Sequence, residues 1–119
     1  VSFSIGGARG TWQGYTTLLQ SGGLAETVTD QEAMDMQLML AKTEGLYAEA
    51  ASVTTLVVLQ KLLAQGKISS NQKVVAIITS TGLKDPAETA KRSPPVPVID
   101  PEPTVLSAKL QELYGVKLF

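Results

Sequence analysis

The run Val74-Val75-Ala76-Ile77-Ile78 passes without a break into Thr79-Ser80-Thr81-Gly82-Leu83-Lys84-Asp85-Pro86. A continuous apolar stretch rich in β-branched side chains predicts a strand buried on both faces of a parallel sheet. Such a strand needs layers above and below it, which narrows the chain to α/β architectures. Hydroxyls and a glycine then stand where the strand should end. In open α/β sheets ligands bind at the carboxyl ends of strands. The junction is therefore a candidate site of hydroxyl and backbone chemistry, with no charged group before Lys84.

The rest of the chain alternates in the same sense. Val1–Ile5 reads as a short strand ending at Gly6-Gly7. A helix is expected from about Thr11 to Gln20, with Trp12, Tyr15, Leu18 and Leu19 at helical spacing and Ser21-Gly22-Gly23 stopping it. Trp12 is expected in the core. Leu24–Val28 can form a short strand. Thr29-Asp30-Gln31-Glu32 fits a capping box, with Thr29 as N-cap and Glu32 at the third helical position. That helix should run to about Thr43 and end at Gly45, with the Met34/Met36/Met39 cluster filling core gaps. Leu46–Glu49 reads as extended. Ala50–Gln65 is apolar around most of its circumference and should be a largely buried helix ending at Gly66. The strand at Lys73–Thr79 follows.

Five of the six prolines lie beyond Pro86. Their density in residues 91–103 predicts an extended linker. An amphipathic helix is expected from about Thr104 to Tyr114, stopped by Gly115. The expected organisation is thus 1–90 as one α/β unit, 91–103 as a proline-rich linker and 104–119 as a terminal helix. The fold class is α/β: a partial three-layer αβα arrangement around a small, mostly parallel sheet.

Absences restrict the chemistry. The 119 residues include no cysteine and no histidine. Disulfides, Cys or His zinc sites, Cys–His nucleophiles and a Ser–His–Asp triad are thereby removed, and no metal site is expected. The reactive groups left are lysines, carboxylates, hydroxyls or a borrowed cofactor. A net charge of −1 without a basic patch argues against nucleic acid. No apolar run reaches the ~18–20 residues that span a bilayer, and the first residues lack a signal-peptide layout. A cytoplasmic protein is expected. The chain begins with Val1, inside what reads as a strand, so a piece of a longer protein is also expected.

Each candidate residue has a plain reading beside the functional one. Thr79-Ser80-Thr81-Gly82 is a pocket floor or an ordinary turn, and it does not match a phosphate loop. Lys84-Asp85 is a catalytic pair or a solvated loop with Asp85-Pro86 starting a turn or helix. Gly6-Gly7-Ala8-Arg9-Gly10 can cradle an anion on backbone amides but lacks the dinucleotide fingerprint. Glu49, among small and apolar neighbours, is a functional acid or a helix N-terminal carboxylate.

Taken in order, four blocks carry a family resemblance: Ser21-Gly22-Gly23, Val28-Thr29-Asp30-Gln31-Glu32-Ala33, Glu44-Gly45-Leu46-Tyr47-Ala48-Glu49-Ala50-Ala51-Ser52, and Thr79-Ser80-Thr81-Gly82-Leu83-Lys84-Asp85-Pro86. Over residues 4–92 the chain resembles the carboxy-terminal third of the threonine synthases, within the fold-type II pyridoxal-phosphate enzymes that include the serine/threonine dehydratases. It departs from the family at Glu49-Ala50-Ala51-Ser52, where Glu-Pro-Ala-Ser is usual. It departs again at Thr79-Ser80-Thr81-Gly82, where Thr-Gly-His-Gly is frequent.

The resemblance implies the carboxy-terminal part of a tryptophan-synthase-β-like fold and pyridoxal 5'-phosphate as cofactor. It implies a small amino-acid substrate, O-phosphohomoserine, converted with water to threonine and phosphate. Thr79 would meet the pyridine nitrogen of the cofactor, and Ser80, Glu49 and Gly6 would line the same pocket. No catalytic residue is assigned within the chain. The Schiff-base lysine is expected upstream, Lys84 does not match its position, and the segment alone is expected to be inactive. Its partners would be the rest of the same polypeptide and, in one arrangement, a second copy as a homodimer. A serine/threonine dehydratase segment and a non-catalytic α/β binding module are the competing readings.

Overall fold

The computed structural model describes residues 2–7 and 9–118. Val1, Ala8 and Phe119 lie outside the described residues, and with them the start of the first expected strand, the middle of the glycine-rich segment and the last residue of the terminal unit. Among the described residues five α-helices carry the fold: α1 (Trp12–Ser21), α2 (Asp30–Glu44), α3 (Ala50–Ala64), α4 (Pro86–Arg92) and α5 (Pro103–Tyr114). Two 3-10 turns, Phe3–Ile5 and Gly82–Lys84, complete the regular structure.

The helix boundaries follow local chemistry. Thr11 caps α1 by accepting from the Gly14 N–H at 3.1 Å. Thr29 and Glu32 form the full capping box at the start of α2. The Thr29 hydroxyl accepts from the Glu32 N–H at 3.2 Å, and the Glu32 carboxylate accepts from the Thr29 N–H at 2.8 Å. Gly45 ends α2 in the left-handed region (φ 69°), which favours glycine.

The core sits where α2 packs on α3. Met36, Ala48, Val53 and Val57 form its buried centre, with Val28, Leu40 and Leu56 against them. Lys61 of α3 reaches back to the start of α2, donating to the Thr27 carbonyl at 2.7 Å and pairing with Glu32 at 2.8 Å. Three long side chains expected inside lie elsewhere: Trp12 is 75% exposed, and Met39 and Leu63 are each about 40% exposed. Trp12 instead stands beside Tyr15, ring centroids 6.1 Å apart, on an open helix face.

The expected mostly parallel αβα sheet is not formed. Among the described residues the sole β-pairing is one antiparallel bridge between Ala48 and Thr81. Residues 73–79 hold no ladder partner, and Val75 is 89% exposed. The physical reason is the non-local nature of a strand. A helix closes its hydrogen bonds within itself, whereas an extended run gains them only from a neighbour in register. Phe3–Ile5, expected as strand, closes locally as a 3-10 turn, with the Gly6 N–H donating to the Phe3 carbonyl at 3.1 Å. Leu24–Val28 is irregular, and Leu46–Glu49 contributes only the bridge.

The shape follows from the missing sheet. The radius of gyration is 19.6 Å, where a compact domain of this length would have about 13–14 Å. No helix among the described residues is long and apolar enough to cross a membrane.

Candidate functional site

The bridge between Ala48 and Thr81 brings the two site segments together. The Glu49 N–H donates to the Ser80 carbonyl at 2.9 Å, and the Gly82 N–H donates to the Tyr47 carbonyl at 2.9 Å. Gly82 is required by this close approach. A Cβ there would lie 2.5 Å from the Tyr47 ring and 2.9 Å from the Ala48 carbonyl oxygen.

Behind the bridge, the first turn of α3 places Ser52, 4% exposed, against the junction. The Ser52 hydroxyl lies 2.9 Å from the Thr79 hydroxyl and accepts from the Ser80 N–H at 3.1 Å. Thr79 and Ser52 thus meet through their hydroxyls at the end of the apolar run, and Ser80 joins them through its backbone N–H. Thr79 keeps an exposed side, so its oxygen is held from behind and open in front.

Glu49 is the N-cap residue of α3, yet its carboxylate makes no cap bond. It accepts from the Ser4 hydroxyl and pairs with Lys84 at 3.2 Å. Together with Ser80 these contacts hold its carboxyl below the usual carboxylate range, the Ser4 hydrogen bond contributing most, while partial burial opposes them. Glu49 is therefore ionised at neutral pH, at the positive end of α3. It opens onto a cleft of about 370 Å³ whose wall includes Gln37, Tyr47, Lys84 and Arg92.

Glu49, Thr79 and Ser80 are therefore brought into one neighbourhood. Gly6 is not tied to them by any hydrogen bond described; its N–H stays within its own turn. Lys84 and Asp85 do not act as a pair either. Lys84 turns to Glu49, while Asp85 caps α4 by accepting from the Glu88 N–H at 3.1 Å. Sequence reasoning left out two contributors, Ser52 and Ser4. Ser52 carried a readable signal, a hydroxyl in the buried first turn of an apolar helix. Ser4 carried none, because it reaches Glu49 across 45 positions of chain.

Residues 7–80 match the family model described as pyridoxal-phosphate dependent enzyme. Among curated proteins, the threonine synthase of Methanocaldococcus jannaschii is 40% identical over 96 residues, covering 81% of this chain and 24% of that protein. The threonine synthase of Methanosarcina acetivorans is 36% identical over 111 residues, covering 92% of this chain and 25% of that protein. That of Mycobacterium bovis is 31% identical over 91 residues, with 76% and 25% covered. The chain spans about a quarter of the length of these relatives. With the family model covering more than half of the chain, including Glu49, Ser52, Thr79 and Ser80, the chain belongs to the pyridoxal-phosphate-dependent enzymes.

Proposed function

We propose that this chain is a segment of a threonine synthase, and that Thr79 is the hydrogen-bond partner of the cofactor's pyridine nitrogen. The observation that carries the reading is the Ser52–Thr79–Ser80 cluster at the end of the apolar run. It is supported by the threonine synthases similar to this chain.

The residues present fit one end of the cofactor. A pyridine nitrogen needs a single polar partner in an otherwise apolar setting, and a threonine hydroxyl anchored from behind offers it. A carboxylate in that place would hold a proton on the ring; a neutral hydroxyl does not. Bound pyridoxal phosphate supplies the electron sink for elimination and replacement at the side-chain carbons of an amino acid. Thr79 would hold the ring nitrogen, Ser80 would keep the junction backbone in place, and Glu49 would give the pocket an ionised carboxylate held by Ser4 and Lys84. Gly6 completes the wall in this reading. The substrate is O-phosphohomoserine, and the products with water are threonine and phosphate.

The test is an assay of the full-length enzyme that carries this chain, loaded with pyridoxal phosphate. Phosphate release from O-phosphohomoserine with formation of threonine is the expected result. Ammonia release from serine or threonine without phosphate release would assign a dehydratase instead. Thr79→Asp is expected to shift the cofactor absorbance and lower turnover by roughly tenfold or more, since it changes the ring's protonation. An unchanged spectrum and rate would remove Thr79 from the ring.

A further inference from the structure

We propose that Ser52 is a positioning residue that fixes the direction of the Thr79 proton, an inference that rests on the reading of Thr79 as the ring-nitrogen partner. The argument is a count of protons and lone pairs. The Ser52 hydroxyl carries one proton, and its oxygen already accepts from the Ser80 N–H at 3.1 Å. Ser52 is 4% exposed, so water is not at hand to take that proton. Its neighbours on α3 send their hydroxyls back into the helix, Thr54 to the Ala51 carbonyl at 2.7 Å and Thr55 to the Ser52 carbonyl at 2.9 Å. Ser52 does not. The corresponding carbonyl three residues behind it, that of Glu49, already accepts from the Ser52 N–H at 2.9 Å and the Val53 N–H at 3.2 Å. The remaining acceptor is the Thr79 hydroxyl oxygen at 2.9 Å.

The alternative direction leaves a buried donor without an acceptor. If Thr79 donated to Ser52, the Ser52 oxygen would accept twice and its own proton would point at nothing. An unsatisfied buried donor costs more than the hydrogen bond gained. Ser52 therefore donates and Thr79 accepts. Thr79 is left with a free proton on its exposed side, and its hydroxyl faces outward as a donor. A donor matches a ring nitrogen that carries no proton. Ser52 sets the polarity of the contact without touching the ring.

The experiment uses the full-length enzyme loaded with pyridoxal phosphate labelled with nitrogen-15 in the ring, read by NMR of that nitrogen. Thr79→Val is expected to move the resonance toward the value of an unbonded, unprotonated pyridine. Ser52→Ala is expected to move it in the same direction by a smaller amount and to weaken cofactor binding roughly fivefold, the worth of one hydrogen bond. In the ring resonance the double variant should match Thr79→Val alone, because Ser52 reaches the ring nitrogen only through Thr79. Ser52→Thr, which restores the hydroxyl, should recover the wild-type resonance. If Ser52→Ala does not fold, Ser52→Cys gives the same reading with a weak donor of similar size. A shift with Thr79→Val but none with Ser52→Ala, whatever the melting temperature does, overturns the Ser52 assignment and leaves that of Thr79 standing. No shift with Thr79→Val overturns both.

Discussion

The α2–α3 pair and residues 73–79 are both rich in apolar side chains, and they end in opposite environments. In the helix pair Val53 is fully buried, and the ends are tied by Thr29, Glu32 and Lys61. In the extended run Val75 is 89% exposed and no ladder partner lies alongside among the described residues. The lesson is that apolar composition does not by itself bury a segment. A helix brings its own hydrogen bonds and needs only one packed face. An extended run must find both a hydrogen-bonding neighbour and an apolar cover. The candidate site lies at the seam, where the end of the run is pinned to the start of α3 by the bridge and by Ser52.

The sharpest way to break this contrast is at the seam itself. Gly82→Ala places a methyl group 2.5 Å from the Tyr47 ring and 2.9 Å from the Ala48 carbonyl oxygen. The bridge must shift to make room, and overpacking of this kind costs about 1–3 kcal/mol. Urea unfolding followed by circular dichroism measures it. Gly10→Ala is the control, since a Cβ there meets nothing within 4 Å. Equal stability for the two variants would mean that the seam is loose and that Thr79 is not held against Ser52.

How much of this was legible follows the same division. The start of α2 could be read from Thr29 and Glu32 because both capping hydrogen bonds span three residues. The ends of α2, α3 and α5 could be read from Gly45, Gly66 and Gly115, each in the left-handed region. The helix α4 was obscured by the proline-rich stretch after it, although Asp85 as cap and Pro86 in the first turn were proper start signals. The parallel sheet was misread because residues 73–79 carry a strand's side chains but nothing in their own sequence supplies a partner. At the site, Thr79, Ser80 and Glu49 could be singled out from local chemistry. That Ser52 stands behind Thr79, 27 positions away, is a property of the packed helix.

The helix side of the contrast has a pH signature at Glu32. Its carboxyl is lowered from 4.5 to about 2, first by the Lys61 hydrogen bond and then by the backbone and hydroxyl of Thr29. A folded value below the unfolded one means that the unfolded chain binds the proton more readily. The contribution of Glu32 is therefore complete above about pH 4.5 and fades as the pH falls toward about 2. Acid titration of the unfolding midpoint should show this loss in the wild type and a flatter profile in Glu32→Gln. Identical profiles would mean that Lys61 and Thr29 do not hold the carboxylate, and the ends of α2 and α3 would then be untied.

The smallest effect belongs to the extended run, and its smallness is what makes it informative. Val75→Thr keeps the β-branched shape and replaces a methyl by a hydroxyl. In a buried position that exchange is costly, because the hydroxyl loses water and gains no partner. At a residue 89% exposed the hydroxyl keeps its water. The variant of this chain should match the wild type within about 0.5 kcal/mol in urea unfolding. Ala48, buried in the core and one bridge away from Thr81, gives the opposite case. A loss of about 2 kcal/mol or more at Val75 would show that an apolar surface covers the run. The difference between the two regions would then be one of partner and not of exposure. A match would locate the stability of the chain in α2, α3 and the seam. The apolar run would then act through its last residues alone, where Thr79 and Ser80 meet Ser52.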